Sequence, residues 1–415
     1  MSTTEHAIPM VDDRWCGHEA WPALQAPRRA PLRAAVARAA LQRVARRVGL
    51  RVELPDGAWF GAADGSPLIV HRPGDFFLRL GRDGKIGFGE AYMAGDWDAA
   101  GDLAEVLELM ARDLRALIPP RLQWLRRLYE PTQPGDEDND PAGARRNVAR
   151  HYDLSNELFG LFLDPTMTYS SALFARPDET LEQAQIRKIE RLLDATLVAD
   201  GTRVLEIGTG WGELAIRAAR RGAQVTSLTL SREQAAAARR RVADEGLSGS
   251  VEILEQDYRQ SSGRFDAVVS VEMIEAVGER WWPVYFETLE RRLAPGGRIG
   301  IQSILMDHDT LLATRRSWTW VHKYIFPGGI IPSLDAIEQT LRDHTHLRVL
   351  ERLHFASSYA ATLARWRASF DRQADAVERL GFDAIFRRMW DFYLAYAEAG
   401  FRSGHLDVAQ LVMSR

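Results

Sequence analysis

The sequence predicts an α/β fold in which a doubly wound parallel sheet follows a small N-terminal α+β domain. Its 415 residues exceed the roughly 150 that one domain usually holds, so we expect two or three domains. Hydrophobic residues make up 46% and charged residues 27%, which is typical of globular proteins and excludes a wholly disordered or collagen-like chain. In the second half of the chain, short apolar runs alternate with helical patterns, as they do in parallel α/β sheets.

The N-terminal domain, residues 1–129, combines basic helical segments with short strands. Residues 28–47 hold seven arginines and no acid, and their apolar residues recur near helical spacing. Residues 112–127 mix arginines with leucines and a tryptophan. A basic amphipathic helix suits an anionic membrane surface, although the pattern also fits a helix that packs on its own domain with its arginines in water. Alternating runs predict antiparallel strands at Leu50–Leu54, Ala58–Gly61, Leu68–His71 and Phe76–Leu80.

A linker is predicted at residues 130–144, because this stretch is rich in proline, glycine and acids and nearly free of apolar residues. The catalytic domain is then expected at residues 145–415, where the alternating pattern lies. The predicted strands are Arg203–Ile207, Ala223–Leu228, Val251–Leu254, Ala267–Val271 and Gly297–Ile304, and the predicted helices include Leu214–Arg221, Ser231–Asp244 and residues 281–293.

Composition also excludes several classes of protein. No uncharged apolar run reaches the ~18 residues of a membrane span, and the N-terminus lacks the basic and apolar regions of a signal peptide, so we expect a cytoplasmic protein. The single cysteine, Cys16, excludes an intramolecular disulfide and a cysteine-based metal cluster, and no metal site is expected. A net charge of −4 argues against nucleic acid as a partner.

A glycine-rich turn follows the first strand of the alternating region. The segment RVLEIGTGWGEL at 203–214 places Gly208, Gly210 and Gly212 between a strand and a helix. Glycines there allow a sharp turn and let a ligand approach the backbone at the N-terminus of the helix. Dinucleotide-binding enzymes use a similar turn, so this pattern alone leaves the ligand open.

The residues around this turn favour a different cofactor. Dinucleotide enzymes hold a ribose hydroxyl with an acid at the end of the second strand, but Thr229 stands at that place here. Ser231 and Gln234 follow it, and Asp257 and Tyr258 follow the third strand. Together with an acid inside the first strand, Glu206, these positions resemble the core of S-adenosylmethionine (SAM) methyltransferases.

Six longer segments narrow the resemblance to one family. They are NVARHYDLSNELFGLFLDPTMTYSSALF at 147–174, VLEIGTGWGELA at 204–215, VTSLTLSREQ at 225–234, VEMIEAVG at 271–278, YIFPGGIIPS at 324–333 and YLAYAEAGFRSGHLDVAQLVMSR at 393–415. FGEAYMAGDWD at 88–98 extends the likeness into the N-terminal domain. The chain thus resembles the cyclopropane-fatty-acid synthases and mycolic-acid cyclopropane synthases, in their longer bacterial form.

This resemblance implies a class I SAM-methyltransferase fold with helical insertions that bind lipid. It implies an unsaturated fatty acyl chain within a membrane phospholipid as substrate, and a protein peripheral on the inner membrane face. In such synthases the alkene takes the SAM methyl group, and a bound bicarbonate then removes a proton as the cyclopropane ring closes. The longer members also suggest a homodimer. An alkene is a weak nucleophile, so the protein must align the reactants and stabilise a cation, for which aromatic faces are suited.

The resemblance also assigns roles to individual residues. Glu275 and Tyr359 fall where the family holds bicarbonate, with Glu275 accepting from its hydroxyl and Tyr359 donating to its oxygen. Ser171 and Gln302 belong to the same site. The implied cofactor residues are Tyr169, Ser170, Glu206, Gly208, Gly210, Gly212, Thr229, Ser231, Gln234, Asp257 and Tyr258.

Two positions depart from the family pattern. Ser171 stands where the family has cysteine, and Gln302 stands where the well-studied synthases have histidine. Serine keeps a donor and the backbone N–H, whereas glutamine is always neutral and cannot act as a base. The fate of the carbocation is therefore open. Loss of a proton from the new methyl closes a ring, the main expectation, whereas loss from a chain carbon gives a methyl-branched, methylene or furan-precursor chain.

Two other classes of function remain as alternatives. A methyltransferase for RNA or a small metabolite predicts a basic groove or a polar pocket beside the cofactor. A lipid-binding protein without activity predicts damage to the glycine turn or loss of Glu275, and the sequence keeps both.

Overall fold

The computed structural model describes most of the chain. The described residues are 21–25, 27, 30–117, 134, 137–152 and 155–415, except for the side chains of 113–117, 142 and 148–152. Cys16, Arg28 and Arg29, most of the basic segment 112–127 and the first part of the predicted linker lie outside the described residues.

The chain divides into two compact units that differ from the predicted domains. Unit 1 holds residues 1–119, 157–162 and 366–399, and unit 2 holds residues 120–156, 163–365 and 400–415. The expected boundaries at 129 and 145 therefore miss two later segments that belong with the N-terminal residues. Local sequence pattern cannot reveal such a grouping, because the contacts that produce it are distant along the chain.

Unit 1 contains a four-stranded mixed sheet with helices. Its elements are α1 (Pro31–Val48), β1 (Leu50–Glu53), β2 (Trp59–Gly61), β3 (Ser66–Val70), α2 (Pro73–Asp83), α3 (Lys85–Met93), β4 (Trp97–Ala99), α4 (Leu103–Leu117), most of α6 (Asn156–Phe162), the end of α14 (Ala356–Arg372), α15 (Ala374–Arg379) and most of α16 (Ala384–Arg402). The strand order is β2-β1-β3-β4, and β1 pairs parallel with β3. Three predicted strands are confirmed, although the sheet is not wholly antiparallel as expected.

The fourth predicted strand, Phe76–Leu80, is wrong, because these residues lie in α2. Pro73 occupies the first turn, where its missing N–H costs no hydrogen bond, and Asp75 interacts favourably with the helix dipole. Phe76, Phe77 and Arg79 are buried, and five residues are too few to distinguish a short helical segment from a strand by their pattern.

Aromatic packing explains why the later segments belong to unit 1. Phe162 of α6 lies 6.2 Å from Trp366 of α14 and 5.9 Å from Trp390 of α16, measured between ring centroids. Trp390 also stacks on Phe386 at 5.7 Å. Tyr92 of α3 donates a 2.7 Å hydrogen bond to Asp391 of α16. Burial of such large rings is among the strongest contributions to a folded core, so these segments stabilise unit 1.

Unit 2 is built on a seven-stranded sheet. Its elements are α5 (Pro141–Tyr152), α7 (Leu181–Ala195), β5 (Arg203–Ile207), α8 (Glu213–Arg220), β6 (Gln224–Thr229), α9 (Arg232–Asp244), β7 (Val251–Glu255), β8 (Phe265–Val271), α10 (Trp282–Arg292), β9 (Leu293–Met306), α11 (His308–Thr314), α12 (Trp320–Tyr324), α13 (Leu334–His344), β10 (Arg348–His354) and β11 (Leu406–Ser414), with the start of α14 and the end of α16. The five strands predicted from the sequence are confirmed as β5 to β9.

The order of this sheet is β10-β11-β9-β8-β5-β6-β7. Strands β5 to β9 run parallel, and β11 pairs antiparallel with both β9 and β10. Successive residues of β5 face opposite sides, so that Val204 joins one hydrophobic cluster and Leu205 the other. The sheet is therefore doubly wound, and its parallel strands end at one common edge.

The second part of the predicted linker is an ordered piece of unit 2. Glu137 and Asn139 are buried, and Asn139 donates from its side-chain amide to the Gly328 carbonyl at 2.8 Å. Asn147 donates to the side-chain oxygen of Asn139 at 2.8 Å, and α5 begins at Pro141. The polar composition wrongly indicated a linker, because hydrogen bonds with the loop at Gly328 satisfy the buried polar groups of these residues. Among the described helices, none has the length and apolarity needed to cross a membrane.

We predict that Trp390→Ala destabilises unit 1 by about 3–5 kcal/mol, because the truncation leaves a cavity among four or more rings. Urea unfolding followed by circular dichroism measures the change. Tyr396→Ala on the same helix is the matched control, since Tyr396 is 43% exposed and should cost much less. Equal effects of the two substitutions would contradict the aromatic cluster as the basis of this unit.

Candidate active site

A cleft opens at the carboxyl edge of the parallel strands of unit 2. It encloses about 1190 Å³, including the open space at its mouth. Nine of the predicted cofactor residues line it: Tyr169, Ser170, Glu206, Gly208, Gly210, Thr229, Gln234, Asp257 and Tyr258. Ligands of open α/β sheets usually bind at this edge, which the βα loops form.

The glycine turn shapes one wall of the cleft. Gly208 has φ +98°, and a Cβ there would lie 2.7 Å from Cγ of Met273. Gly210 has φ +52°, a left-handed conformation that glycine adopts without strain. Gly212 does not line the cleft. It precedes α8 at φ +89°, and a Cβ there would lie 3.1 Å from Cβ of Ala238, so its role is close packing of α8 on α9.

Glu206 lies at the floor of the cleft and is nearly inaccessible to water. Ser227 donates to its carboxyl, and the Ser227 hydroxyl lies 2.6 Å from the hydroxyl of Thr209. Burial raises the pKa of Glu206 to about 8, against the lowering effect of the Ser227 hydrogen bond and of the Lys188 charge. The carboxyl is thus held ready to accept hydrogen bonds from a ligand at a position that water does not reach.

Neutral groups follow β6, as predicted. The Thr229 hydroxyl donates to the side-chain oxygen of Gln234 at 3.1 Å and accepts from the Ser231 backbone N–H. Ser231 does not line the cleft. Its side chain caps α9 by accepting from the Gln234 backbone N–H at 3.2 Å, so it positions Gln234 rather than a ligand.

Asp257 already has a partner within the chain. Its carboxylate accepts from the Arg259 guanidinium at 2.8 and 2.6 Å and from the Arg259 backbone N–H. The Tyr258 hydroxyl is buried and has no hydrogen-bond partner among the described residues. Burial raises the pKa of Tyr258 above its ordinary value, which keeps the hydroxyl protonated. The cleft therefore offers a neutral donor here in addition to the Asp257 carboxylate.

A second cluster adjoins the cleft, and its centre is Glu272, which the sequence reasoning did not single out. The Glu272 carboxylate accepts from the Ser171 backbone N–H at 2.9 Å and from the Gln302 amide at 2.8 Å. Its other oxygen accepts from the Tyr359 hydroxyl at 2.6 Å. The structure thus brings three of the four predicted bicarbonate ligands together, around a carboxylate of the chain itself.

Glu275, the fourth predicted ligand, makes different contacts. One of its oxygens accepts from the Ser303 hydroxyl at 3.0 Å and from the Ile304 backbone N–H at 2.6 Å. The other is buried and accepts no hydrogen bond from the described residues. The pKa of Glu275 is raised to about 8, mainly by burial and to a smaller extent by the negative charge of Glu272. Whether Glu275 contacts a bound anion stays a prediction.

Lys188 is a further residue that the sequence reasoning missed. Its ammonium is buried in the cleft wall and donates to the Ser170 hydroxyl at 2.7 Å. Burial lowers the pKa of Lys188 to about 8, although the carboxyls of Glu272, Asp164 and Glu206 act to raise it. A signal existed in the sequence, since Lys188 is one of only three lysines in a chain that otherwise uses arginine.

Other missed residues lack any such signal. Trp211 lines the cleft and donates from its indole to the Asn156 side chain at 2.7 Å. Gln410 on β11 donates to the Gln302 side-chain oxygen at 3.1 Å. Trp366 and Trp390 have rings that could stabilise a cation, but they pack in the core of unit 1. An aromatic side chain carries no local mark that separates these two uses.

The residues of the cleft fit SAM. A buried acid lies near the end of β5, and neutral hydroxyl and amide groups lie at and after the end of β6. After β7 comes the Tyr258 hydroxyl, to which no described residue is hydrogen-bonded. Leu230, Met273 and Val277 add apolar walls suited to a flat base. The cleft offers no acid at the end of β6 that would favour a dinucleotide.

Comparisons with known sequences agree with this geometry. The model of the family described as mycolic acid cyclopropane synthetase matches residues 140–411. The tuberculostearic acid methyltransferase UfaA1 of Mycobacterium tuberculosis is 50% identical over 409 residues, which are 96% of this chain and 96% of the relative. The cyclopropane-fatty-acyl-phospholipid synthase of Escherichia coli is 34% identical over 358 residues, which are 82% of this chain and 86% of the relative.

Solved structures agree as well. The cyclopropane synthase MmaA2 from Mycobacterium tuberculosis has a TM-score of 0.61 at 29% identity, and the match covers 65% of this chain and 98% of that one. The mycolic acid cyclopropane synthase CmaA1, complexed with S-adenosylhomocysteine (SAH) and CTAB, has a TM-score of 0.61 at 30% identity over the same shares.

Strand order, glycine turn and cleft together define a class I SAM-dependent methyltransferase. Within that class, the chain belongs to the mycolic acid cyclopropane synthetase family, whose model covers well over half of its length. It is a SAM-dependent C-methyltransferase of fatty acyl chains.

We predict that Glu206→Gln removes part of the pH dependence of stability. Between pH 4.5 and about 8 the folded protein keeps a proton on Glu206 that the unfolded chain has lost, so the stability of the wild type falls as pH rises. The variant lacks this loss, and its stability relative to the wild type should increase by about 1 kcal/mol per pH unit in that window.

Urea unfolding of the ligand-free proteins at several pH values tests this. Glu252→Gln is the control, because Glu252 is exposed on β7. Suppose instead that the free energies of unfolding of the wild type and of Glu206→Gln change equally with pH between pH 4.5 and 8. Glu206 would then be ionised in the folded protein, and its burial would be wrongly assigned.

Proposed function

We propose that this protein methylates an unsaturated acyl chain and releases a methyl-branched or methylene product rather than a cyclopropane. The observation that carries this choice is the 50% identity, across 96% of both chains, to a methyltransferase named for tuberculostearic acid, a methyl-branched fatty acid. The relative named as a cyclopropane synthase is 34% identical. The product expected first from the sequence, a ring, is therefore the less supported of the two outcomes.

The chemistry requires two steps. When bound, SAM supplies an electrophilic methyl group to which the alkene π electrons form a new carbon–carbon bond, leaving SAH and a carbocation on the chain. A base must then take one proton from a carbon beside the cation, and the released C–H electrons form a new double bond. Direct loss gives a vinylic methyl group, whereas a 1,2-hydride shift that first moves the cation to the methylated carbon lets the new methyl lose the proton and become an exocyclic methylene. The product thus retains one alkene, and a saturated branch would need a hydride from a separate reduction.

The chain's own residues align the reactants and exclude water from the site. We propose that Glu206, Thr229 and Gln234 hold the adenosine part of the cofactor. Tyr169 and Ser170 would hold its methionyl end, as the sequence resemblance implies, and all five residues line the cleft. Buried Lys188 holds Ser170 in place. Exclusion of water protects the carbocation from hydration, which would otherwise give an alcohol.

We further propose that α1 contacts an anionic membrane. Leu32 and Val36 are 78% and 63% exposed, and they share a helix face with Arg43 and Arg47. The opposite face of α1 packs into unit 1 through Ala37, Leu41 and Ala45. Exposed apolar side chains among arginines suit the boundary between lipid headgroups and acyl chains, where the proposed substrate lies. The inner membrane face and a homodimer stay predictions.

The product test uses the purified chain, SAM with an isotope-labelled methyl group, and vesicles of anionic phospholipid with monounsaturated chains. We expect the label in vinylic methyl or exocyclic methylene groups, read by NMR of the released acyl chains. Mass alone does not decide, because a ring and a methylene branch each add one CH₂. Vesicles with saturated chains are the control and should give no labelled lipid. Strongly shielded ring protons would overturn the branched product and restore the cyclopropane.

For the membrane surface, we predict that Arg43→Glu with Arg47→Glu weakens vesicle binding about tenfold or more, since each arginine near an anionic surface contributes about 1 kcal/mol. High salt should weaken wild-type binding in the same direction, because it screens exposed charges. Flotation with anionic vesicles measures both effects. Arg240→Glu with Arg348→Glu makes the same change of charge at other exposed sites, and an equal loss there would mean that net charge, not α1, governs binding.

A further inference from the structure

The contacts of Glu272 match those of a bound anion. A backbone N–H, a side-chain amide and a hydroxyl converge on its two oxygens, from Ser171 at 2.9 Å, Gln302 at 2.8 Å and Tyr359 at 2.6 Å. These three residues are the ones that the sequence resemblance assigns to bicarbonate. The structure therefore places a carboxylate of the chain at the donors expected to hold a diffusible base.

A carboxylate can replace bicarbonate in this role. Both groups carry one negative charge on a planar O–C–O unit, and both accept hydrogen bonds and a proton. Three donors directed at one carboxylate leave little hydrogen-bonding capacity for a second anion. A second negative ion beside Glu272 would also be repelled strongly, because the repulsion between like charges is poorly screened away from water.

The backbone supports a functional role for Glu272. Its φ is +51°, in the left-handed region that residues other than glycine rarely adopt. The residue follows β8 directly, and its N–H donates to the Gln302 carbonyl on β9 at 2.7 Å. Conformations of this kind persist where the surrounding structure enforces them, and they concentrate at functional sites.

A chain of neutral amides orients the donors. Gln410 donates to the Gln302 side-chain oxygen at 3.1 Å, so the NH₂ group of Gln302 must face Glu272. Gln410 is itself fixed, because Arg191 donates to its side-chain oxygen at 2.6 Å and its NH₂ group donates to the Lys188 carbonyl at 3.0 Å. This arrangement gives a physical reason for glutamine at position 302, since its amide donates to a fixed carboxylate without a proton of its own to lose.

Glu272 is also reachable from the reaction site. It lines the cofactor cleft together with Tyr169, Ser170 and Lys188, whereas Glu275 does not line it. Burial raises the pKa of Glu272 above the ordinary glutamate value, although Tyr359, Gln302 and Lys188 act in the opposite direction. A carboxylate with a raised pKa binds a proton more tightly and is a stronger base.

We infer that Glu272 is the catalytic base of this enzyme and performs the task of bicarbonate. This inference rests on the proposed methyl transfer to an alkene. After the transfer, one Glu272 oxygen takes a proton from a carbon next to the cation, and the C–H electron pair becomes the new π bond. The protonated Glu272 then releases its proton to water once the product leaves. The proton transfer therefore needs no bicarbonate or other added anion.

The experiment compares turnover in buffer freed of carbon dioxide with turnover after millimolar bicarbonate is added. Wild-type turnover should be the same in both buffers. Glu272→Gln keeps the shape of the side chain but cannot take the proton, so turnover should fall about 100-fold or more. Glu272→Gly should fold well, because glycine suits φ +51°, and it opens the space between the three donors. Added bicarbonate should restore much of its turnover.

A control variant and a measurement of SAM binding separate the possible outcomes. Glu252→Gln on the exposed face of β7 should behave as the wild type in both buffers. SAM binding by calorimetry should change little in Glu272→Gln, which distinguishes loss of the base from loss of the cofactor. A wild type that needs added bicarbonate, or variants that keep full turnover without it, would overturn the inference. A wild type that transfers no methyl group to any unsaturated lipid would overturn the proposed function instead.

Discussion

Burial of several carboxyl groups around one ammonium is the constraint on which this active site depends. Glu206 lies near the end of β5 and Glu272 directly follows β8, and burial raises the pKa of both carboxyl groups. Lys188 is the cation that these carboxyls share, and its own pKa falls to about 8. Hydrogen bonds from Ser227, Ser171 and Tyr359 hold the carboxyls in place.

The parallel sheet makes this concentration of charge possible. Strands β5 and β8 are neighbours, and both end at the edge where the glycine turn opens the cleft. Residues that are distant in sequence therefore meet without long loops. β11 then adds Gln410 from the C-terminal segment, paired directly with Gln302 on β9. The last strand of the chain thus completes the support of Glu272, which explains why the family likeness extends to the C-terminus.

Much of unit 2 could be predicted from the sequence, because buried parallel strands are continuous apolar runs and glycine turns separate them. Unit 1 was harder. Phe76–Leu80 is too short to show a helical period, and its one polar residue, Arg79, is buried. Glu137 and Asn139 are buried because they hydrogen-bond with the backbone of Gly328, far along the chain. Local patterns record the period of an element. They do not record which distant backbone groups will hydrogen-bond with a polar side chain.

The candidate site shows the same limit in finer detail. A family motif marks Glu275, whereas Glu272 lies three residues earlier in the same segment, VEMIEAVG, and no motif distinguishes it. Only the fold shows that the Ser171 N–H and the Tyr359 hydroxyl converge on Glu272. Ser171 and Gln302 looked like isolated departures from the family pattern. Around a fixed carboxylate they become parts of one arrangement.

A base attached to the chain also bears on which product forms. Bicarbonate is held by donors alone and can turn among them, whereas the Glu272 carboxylate is tethered by its side chain and fixed through three hydrogen bonds. The carbocation can lose a proton from the new methyl or from the acyl chain, and the nearer C–H bond decides. A tethered oxygen reaches only one of these positions well. Ring closure and branching thus differ by the placement of one oxygen atom relative to the acyl chain, with the same fold and the same methyl donor.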